Sequence, residues 1–414
     1  MKQTNMPTTR GKPDAEIRMS GLTGGATPRR GSLLYRTLCG TILFAVCVAL
    51  ALSPAAMAAD FAFYISESSE YGFDYPEQWS NGISPTNEAA ASTDYVLCKG
   101  NGSSTAGLAS NKGGSMRGPQ TRPTSGGVAV WANSFQIGIK SRAGTFRDCR
   151  MADWPLVFAN DGLKLMRGEF YREASRNNDG ELGGKVTVVN SDNISATGPF
   201  LFYGRKSNDG GYGVGGYRMT GAWESGANAK INFFSQWTTE DNPALFTVDF
   251  YGDMTGFLGT MSVATNACRV LMDGKTLPGT VNVDAGATFG AVAASNMVTV
   301  GTLSLADDAK LHLPVDNAKS QVASVRVTSA FSSDGTAGIV LSALPKMAGG
   351  TSVPLLTLAS GCSGTIGDGE LSVSLQDGAA LPAKFELVVR SDPSTGDTVL
   401  LLSAKQTGLV ISFR

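Results

Sequence analysis

Along residues 60–414 apolar side chains come in short runs separated by clusters of Gly, Asn, Asp, Ser and Thr, and amphipathic stretches of helical period are nearly absent. This punctuation predicts strands and turns. The clearest runs are 127–132 (GVAVWA), 135–139 (FQIGI), 162–166, 185–189, 199–203, 230–234 and 245–251, followed by 280–283, 297–305, 309–313, 323–328, 338–341, 353–358, 371–375, 385–389 and 398–402. So many short strands, at intervals of roughly 10 to 20 residues, confine the fold to a sandwich, a barrel or a solenoid.

Length decides among these. The segment is large for one sandwich or small barrel, whereas a solenoid grows by adding coils that bury one another's faces. Short strands with Gly and Asn at corners, where positive φ is needed, fit the same reading. The expected fold is all-β: a right-handed single-stranded parallel β-helix, either continuous or ending in a small β-sandwich-like C-terminal part. Texture divides it into an aromatic-rich part, 59–273, which holds all five Trp, and a Val/Leu/Gly/Thr-rich part, 274–414, which has none. A polar or irregular cap is expected near 60–90, because an open solenoid end invites edge-to-edge aggregation.

Ahead of this region the chain changes character. Seven basic side chains, from Lys2 to Arg36, stand against Asp14 and Glu16, and an apolar or small run spans 37–52. The run is short for a membrane span, which takes about 20 residues. Pro54 ends it, and Ala56-Met57-Ala58 offers a signal-peptidase site, so residues 1–58 read as a secretory signal peptide cleaved before Ala59. Met19 offers a second start, the Arg29-Arg30 pair lacks the large apolar residue of a twin-arginine signal, and Cys39 and Cys47 lack a lipoprotein context. Without the leader the chain carries 27 basic and 33 acidic residues, down from 34 and 35. A mildly acidic exported chain has no electrostatic attraction to nucleic acid, and no transmembrane segment is expected after the leader. Four cysteines follow it, Cys98, Cys149, Cys268 and Cys362, leaving open two disulfides in any of three pairings or four separate thiols.

Two stretches then carry a resemblance. Trp79-Ser80-Asn81-Gly82-Ile83-Ser84-Pro85, followed by Asp94-Tyr95-Val96, resembles the W-x-x-G-x-x-P…D-Y-V opening of secreted bacterial proteins with autotransporter-associated β-strand repeats. The runs 279–288 (GTVNVDAGAT) and 300–311 (VGTLSLADDAKL) are similar to the coils of such passenger domains. The resemblance implies a right-handed β-helix displayed outside the cell, usually without an enzymatic role. It departs from full-length autotransporters in ending at Phe413-Arg414 without the alternating strands of a membrane barrel.

Candidate chemistry is sparse. His312, the single histidine, lies between two leucines in a strand-like run and is expected to point outward, exposed or at an edge. One histidine supplies no two-His zinc site, and no C-x-x-C occurs, so no metal or cofactor is expected. The glycine-rich run 209–217 lacks the following helix of a dinucleotide loop and the acidic position of a calcium β-roll, and reads as a loop whose tyrosines are free to stack on a ligand. Carbohydrate cleavage needs only two or three carboxylates along a groove. The candidates are Glu169, Glu173, Glu224, Glu240, Asp241, Asp249 and Asp253, and alternation turns Asp249 outward. Tyr203, Tyr212, Tyr217, Trp223 and Trp237 are candidate binding aromatics. No pair of carboxylates stands out by spacing. The leading expectation is therefore an exported non-enzymatic β-solenoid, a structural or adhesive element at the cell surface or outside the cell, with surface polysaccharide or cell-surface proteins as partners. A pectin-lyase-like polysaccharide-active enzyme and a non-catalytic carbohydrate-binding module are the alternatives.

Overall fold

Period-two alternation is the local reason the chain extends. In Phe246–Phe250 the side chains of Phe246, Val248 and Phe250 are buried, while those of Thr247 and Asp249 lie on the other face. The computed structural model describes residues 60–63, 72–98, 115–117, 127–139, 143–148, 155–174, 180–190, 198–206, 216–236, 238–239, 242–243, 246–264, 268–367 and 371–406. Among them strands dominate, and the helical elements are two single 3-10 turns, Pro76–Gln78 and Glu88–Ala90. No helix among the described residues is long and apolar enough to cross a membrane.

Strands pair in parallel with the corresponding strand one coil further on, giving sheets of 15 and 12 strands. Ala59–Arg414 forms one compact unit. The architecture is an all-β parallel β-helix. Its coils carry three segments. Leu156–Leu165 and Gly180–Val188 bend midway, so that 180–182 pair with Tyr217–Met219 and 186–188 with Trp223–Ser225. Gly168–Ala174 and Phe200–Lys206 belong to the third side. In Thr276–Val283 and Met297–Leu305 the same subdivision appears as register shifts after Leu277 and Val300.

Three ladders thus surround one core. In the third, Phe146, Phe170, Phe202, Phe233, Val263, Val283 and Leu305 succeed one another, all buried. Phe170 stacks on Phe146 at 4.6 Å and on Phe202 at 4.8 Å between ring centroids. Each buried side chain of this size contributes about 1.5–3 kcal/mol relative to exposure. Coil length is not constant, since Phe170 pairs with Phe202 but Met261 already with Val281. The change of texture near residue 273 is a change of core lining, from aromatic to Val and Leu, and the ladder Val263 to Val283 crosses it unbroken.

Corners bring neighbouring backbones together. A Cβ on Gly184 would fall on the carbonyl oxygen of Phe158, one on Gly221 on that of Gly184, and one on Gly252 on that of Gly221, all far inside van der Waals contact. Gly259, Gly279 and Gly301 form a second such column. Gly184 also has φ +83°, but at Gly221 close approach alone excludes a side chain.

The two ends are closed differently. At the first coil, residues 72–92 are irregular as expected, but the plug they form is apolar. Phe73 and Trp79 are each 1 % exposed, and Phe73 meets Phe135 and Phe146 while Trp79 meets Tyr95 edge-on at 4.8 Å. The indole N–H donates to the Phe73 carbonyl at 2.9 Å. Gly82 turns the chain at φ +65°, the Tyr95 hydroxyl donates to the Ile83 carbonyl, and the Pro85 carbonyl accepts from the Trp131 N–H. The Asp94 carboxylate accepts from Asn133 and Ser134 of the next coil. The W-x-x-G-x-x-P…D-Y-V pattern is thus a device for covering the core's end.

At the other end strand direction reverses. Ser352–Leu358 pairs antiparallel with Thr398–Ala404, which pairs antiparallel with Phe385–Ser391. This hairpin is clamped through Asp397, 5 % exposed, whose carboxylate accepts from Arg326 Nη1 at 2.6 Å and from the Ser360 N–H at 2.8 Å. Of the described cysteines, Cys268 sits in the core, where burial pushes its thiol pKa up, and neither Cys268 nor Cys362 is bridged, so two disulfides do not form; Cys149 lies outside the described residues.

Two outcomes follow from these contacts. Gly221→Ala will destabilise the fold by at least the ~1–3 kcal/mol of overpacking, whereas Gly198→Ala, with open space around its Cβ position, will leave the melting curve unchanged. The Arg326 hydrogen bond holds the Asp397 carboxyl below the usual carboxylate range. Its stabilisation is complete above the unfolded value of about 4 and is lost as pH falls through the lower folded value. Hydrogen exchange will therefore show 385–404 released first in acid, and released already at neutral pH in Arg326→Met.

Candidate functional site

With the core filled, any binding or chemistry belongs to the outer side chains of the three ladders and their corners. Two of the candidate aromatics do not reach that surface. Tyr217 and Trp223 are 1 % exposed and point into the core, where Tyr217 meets Phe202 at 5.1 Å and Trp223 meets Phe250 at 5.3 Å. The alternation Tyr217/Met219 inward, Arg218 outward, accounts for this. Tyr203 does lie on the outer side of the third ladder, yet it is 5 % exposed. Its ring is stacked between Tyr171 at 5.2 Å and Phe234 at 4.6 Å, so neither face is open to a sugar. Tyr212 and Trp237 lie outside the described residues, as does most of the glycine-rich run 209–217.

The carboxylates are dispersed. Glu169 lines an open depression of about 380 Å³ with Thr145, Arg167, Pro199 and Leu201. Both its oxygens are engaged, one by Thr145 Oγ1 at 2.9 Å and one by the Tyr203 hydroxyl at 2.8 Å. Glu224 sits on the second ladder, 2.8 Å from Lys185 Nζ, and accepts from Thr187. The hydrogen bond from Lys185 holds its pKa down, the opposite of what a general acid needs. Asp253 closes a turn on Thr255, whose N–H and hydroxyl lower its pKa. Asp249 faces outward, half-buried, on the first ladder beside Arg218; burial, and then the charge of Asp249, raise the pKa of Tyr251, whose ring lies 4.9 Å from the Arg218 guanidinium. Glu173 has no described side chain, and Glu240 and Asp241 lie outside the described residues. Glu169, Glu224 and Asp249 therefore stand on three different sides of the coil, and outward side chains on different sides diverge.

His312 points away from Leu311 and Leu313 as expected, but it is half-buried rather than exposed, between Gly290 and Val340. Burial, and then the charge of Arg269, push its pKa down to about 4, so it is neutral at ordinary pH. No group of three or more His, Cys, Asp or Glu among the described residues is arranged to hold a metal ion.

The surface feature that sequence reasoning missed is Trp131. Of the described tryptophans it alone is substantially exposed, at 37 %, and it stands at the corner between the first and second ladders beside Val157, which is 41 % exposed. The signal was present: in Val128-Ala129-Val130-Trp131-Ala132, alternation buries Val130 and Ala132 and turns Ala129 and Trp131 outward. No protein-family model matches this chain, and no characterised protein matches it in sequence.

The histidine provides a clean measurement. Because the folded pKa lies below the unfolded value of about 6.5, unfolded chains take up protons before folded ones do. Stability will fall as pH drops from about 6.5 to about 4, and His312→Gln will remove that slope. The lone imidazole C2–H resonance will titrate with its midpoint near 4.

Proposed function

We propose that this protein is exported and works outside the cytoplasm as a non-enzymatic structural and adhesive β-solenoid, similar in kind to autotransporter passenger domains and held at the cell surface or released. The observation that carries the reading is the unbroken set of ladders, from Asp60–Phe63 to the antiparallel hairpin at 385–404, with an apolar plug at one end and reversed strands at the other. Such a stack is stiff because every coil is hydrogen-bonded to two others. It presents long outer faces made by the side chains that alternate with the buried ones.

Non-catalytic work is supported by what the described carboxylates do. Glu169, Glu224, Asp253 and Asp397 are each tied to a partner that holds the fold. Export is supported by the basic segment, the apolar run 37–52 and the Ala56-Met57-Ala58 site within 1–58.

The test has two arms. Expressed with its leader in a bacterial host, the protein will be recovered outside the cytoplasm, and mass spectrometry will place its N-terminus at Ala59. Cytoplasmic retention of an uncleaved chain would overturn the export reading. Incubated with a panel of neutral and acidic polysaccharides, the folded protein will leave chain length unchanged by size-exclusion chromatography. Rapid depolymerisation would replace the structural reading with the lyase or hydrolase one.

A further inference from the structure

We propose that the corner at Trp131 is a glycan-binding subsite that takes a hexopyranose ring of a neutral polysaccharide flat against the indole. The inference rests on the adhesive reading and supplies its ligand class.

The indole projects from a surface of small side chains. Ala129 precedes it by two residues, Val157 and Ala159 lie in the next coil, and Gly183 follows Val157 in the ladder, so these described neighbours are small. A Cβ on Gly183 would crowd Val157 at 3.2 Å and Thr220 at 3.3 Å. The mounting is rigid. The Trp131 N–H donates to the Pro85 carbonyl at 2.8 Å, and its carbonyl accepts from Asn160 Nδ2 at 2.8 Å. Asn160 itself is held at φ 51°, a left-handed conformation uncommon outside glycine. A backbone fixed on both sides of the residue loses little freedom on binding.

The rim selects the ligand. Asp161 is bonded through its N–H to the Asn133 carbonyl and exposes 61 % of its side chain, with Lys164 Nζ at 3.5 Å. One coil further on stands the Lys185–Glu224 pair. These groups donate and accept hydrogen bonds in the mixture that sugar hydroxyls need, and their charges cancel in pairs. A phosphate or uronate chain therefore gains nothing from them. A protein partner is disfavoured by size, since a stable interface covers about 800 Å² on each side and the large exposed apolar side chains here, among the described residues, are one indole and one valine. An aromatic face rimmed by polar groups suits a sugar, whose C–H face is apolar and whose edge is polar.

Affinity electrophoresis of the full chain through gels containing soluble β-glucan, mannan or galactan, with polygalacturonate as the charged comparison, tests the assignment. At least one neutral polysaccharide will retard the protein, and polygalacturonate will not retard it more strongly. Trp131→Ala will weaken that binding by about tenfold or more, and Trp131→Tyr will keep it within about threefold. Asp161→Asn will weaken it to a lesser degree. Circular dichroism melts of Trp131→Ala will match the parent, because the ring lies outside the core. Equal retardation of Trp131→Ala and parent would overturn the site while leaving an adhesive role intact. Retardation by none of the neutral polysaccharides, or preference for polygalacturonate, would overturn the ligand class. Neither result bears on export, which is read from the N-terminus and the cell fraction.

Discussion

No coil of this protein can bury its own apolar side. Each one hides the inward residues of its neighbours, and that mutual shielding works only if adjacent backbones run within one ladder spacing of each other all the way round, corners included. The columns Gly184–Gly221–Gly252 and Gly259–Gly279–Gly301 are where this demand is most severe, because a carbonyl of one coil occupies the place of a side chain in the next. The stacked phenylalanines of the third ladder and the smaller Val and Leu beyond Met261 are two solutions to filling the same interior.

Much of this was legible in the residues. Every strand-like run singled out by punctuation overlaps an observed strand, and the absence of helical periodicity excluded the other architectures. Segments such as Thr260–Ala264 and Cys268–Met272 are harder to read because Thr260, Ser262 and Arg269 interrupt their apolar pattern. Glycine at corners was expected for positive φ. At Gly221 and Gly279 the cause is crowding by a neighbouring coil, which a single sequence does not reveal, since coils of unequal length hide which residues lie one above another.

The surface was harder to read than the core. Tyr217 and Trp223 are candidate ligand platforms because aromatic rings stack on sugars, yet alternation within three-residue strands sends them inward. The same rule, applied to 127–132, turns Trp131 outward, so the information existed at both places and only strand phase distinguished them. Phase is fixed by the bends at Gly162 and Gly184, and bends depend on contacts between coils. Carboxylates pose a related difficulty, because sequence spacing says nothing of which side of a three-sided coil a residue occupies. Once Glu169, Glu224 and Asp249 are assigned to separate sides, chemistry that needs two of them together loses its geometric basis.

The reversal of strand direction at Ser352–Leu358 bears on how such a chain changes length over evolutionary time. A parallel stack offers the same template at every level, so duplication of a turn between residues 260 and 333 alters neither terminus and asks for no new closure. Additions beyond the hairpin meet a strand running the opposite way and must invent their own geometry. Lengthening by internal duplication, with both closures inherited unchanged, is the route this design leaves open.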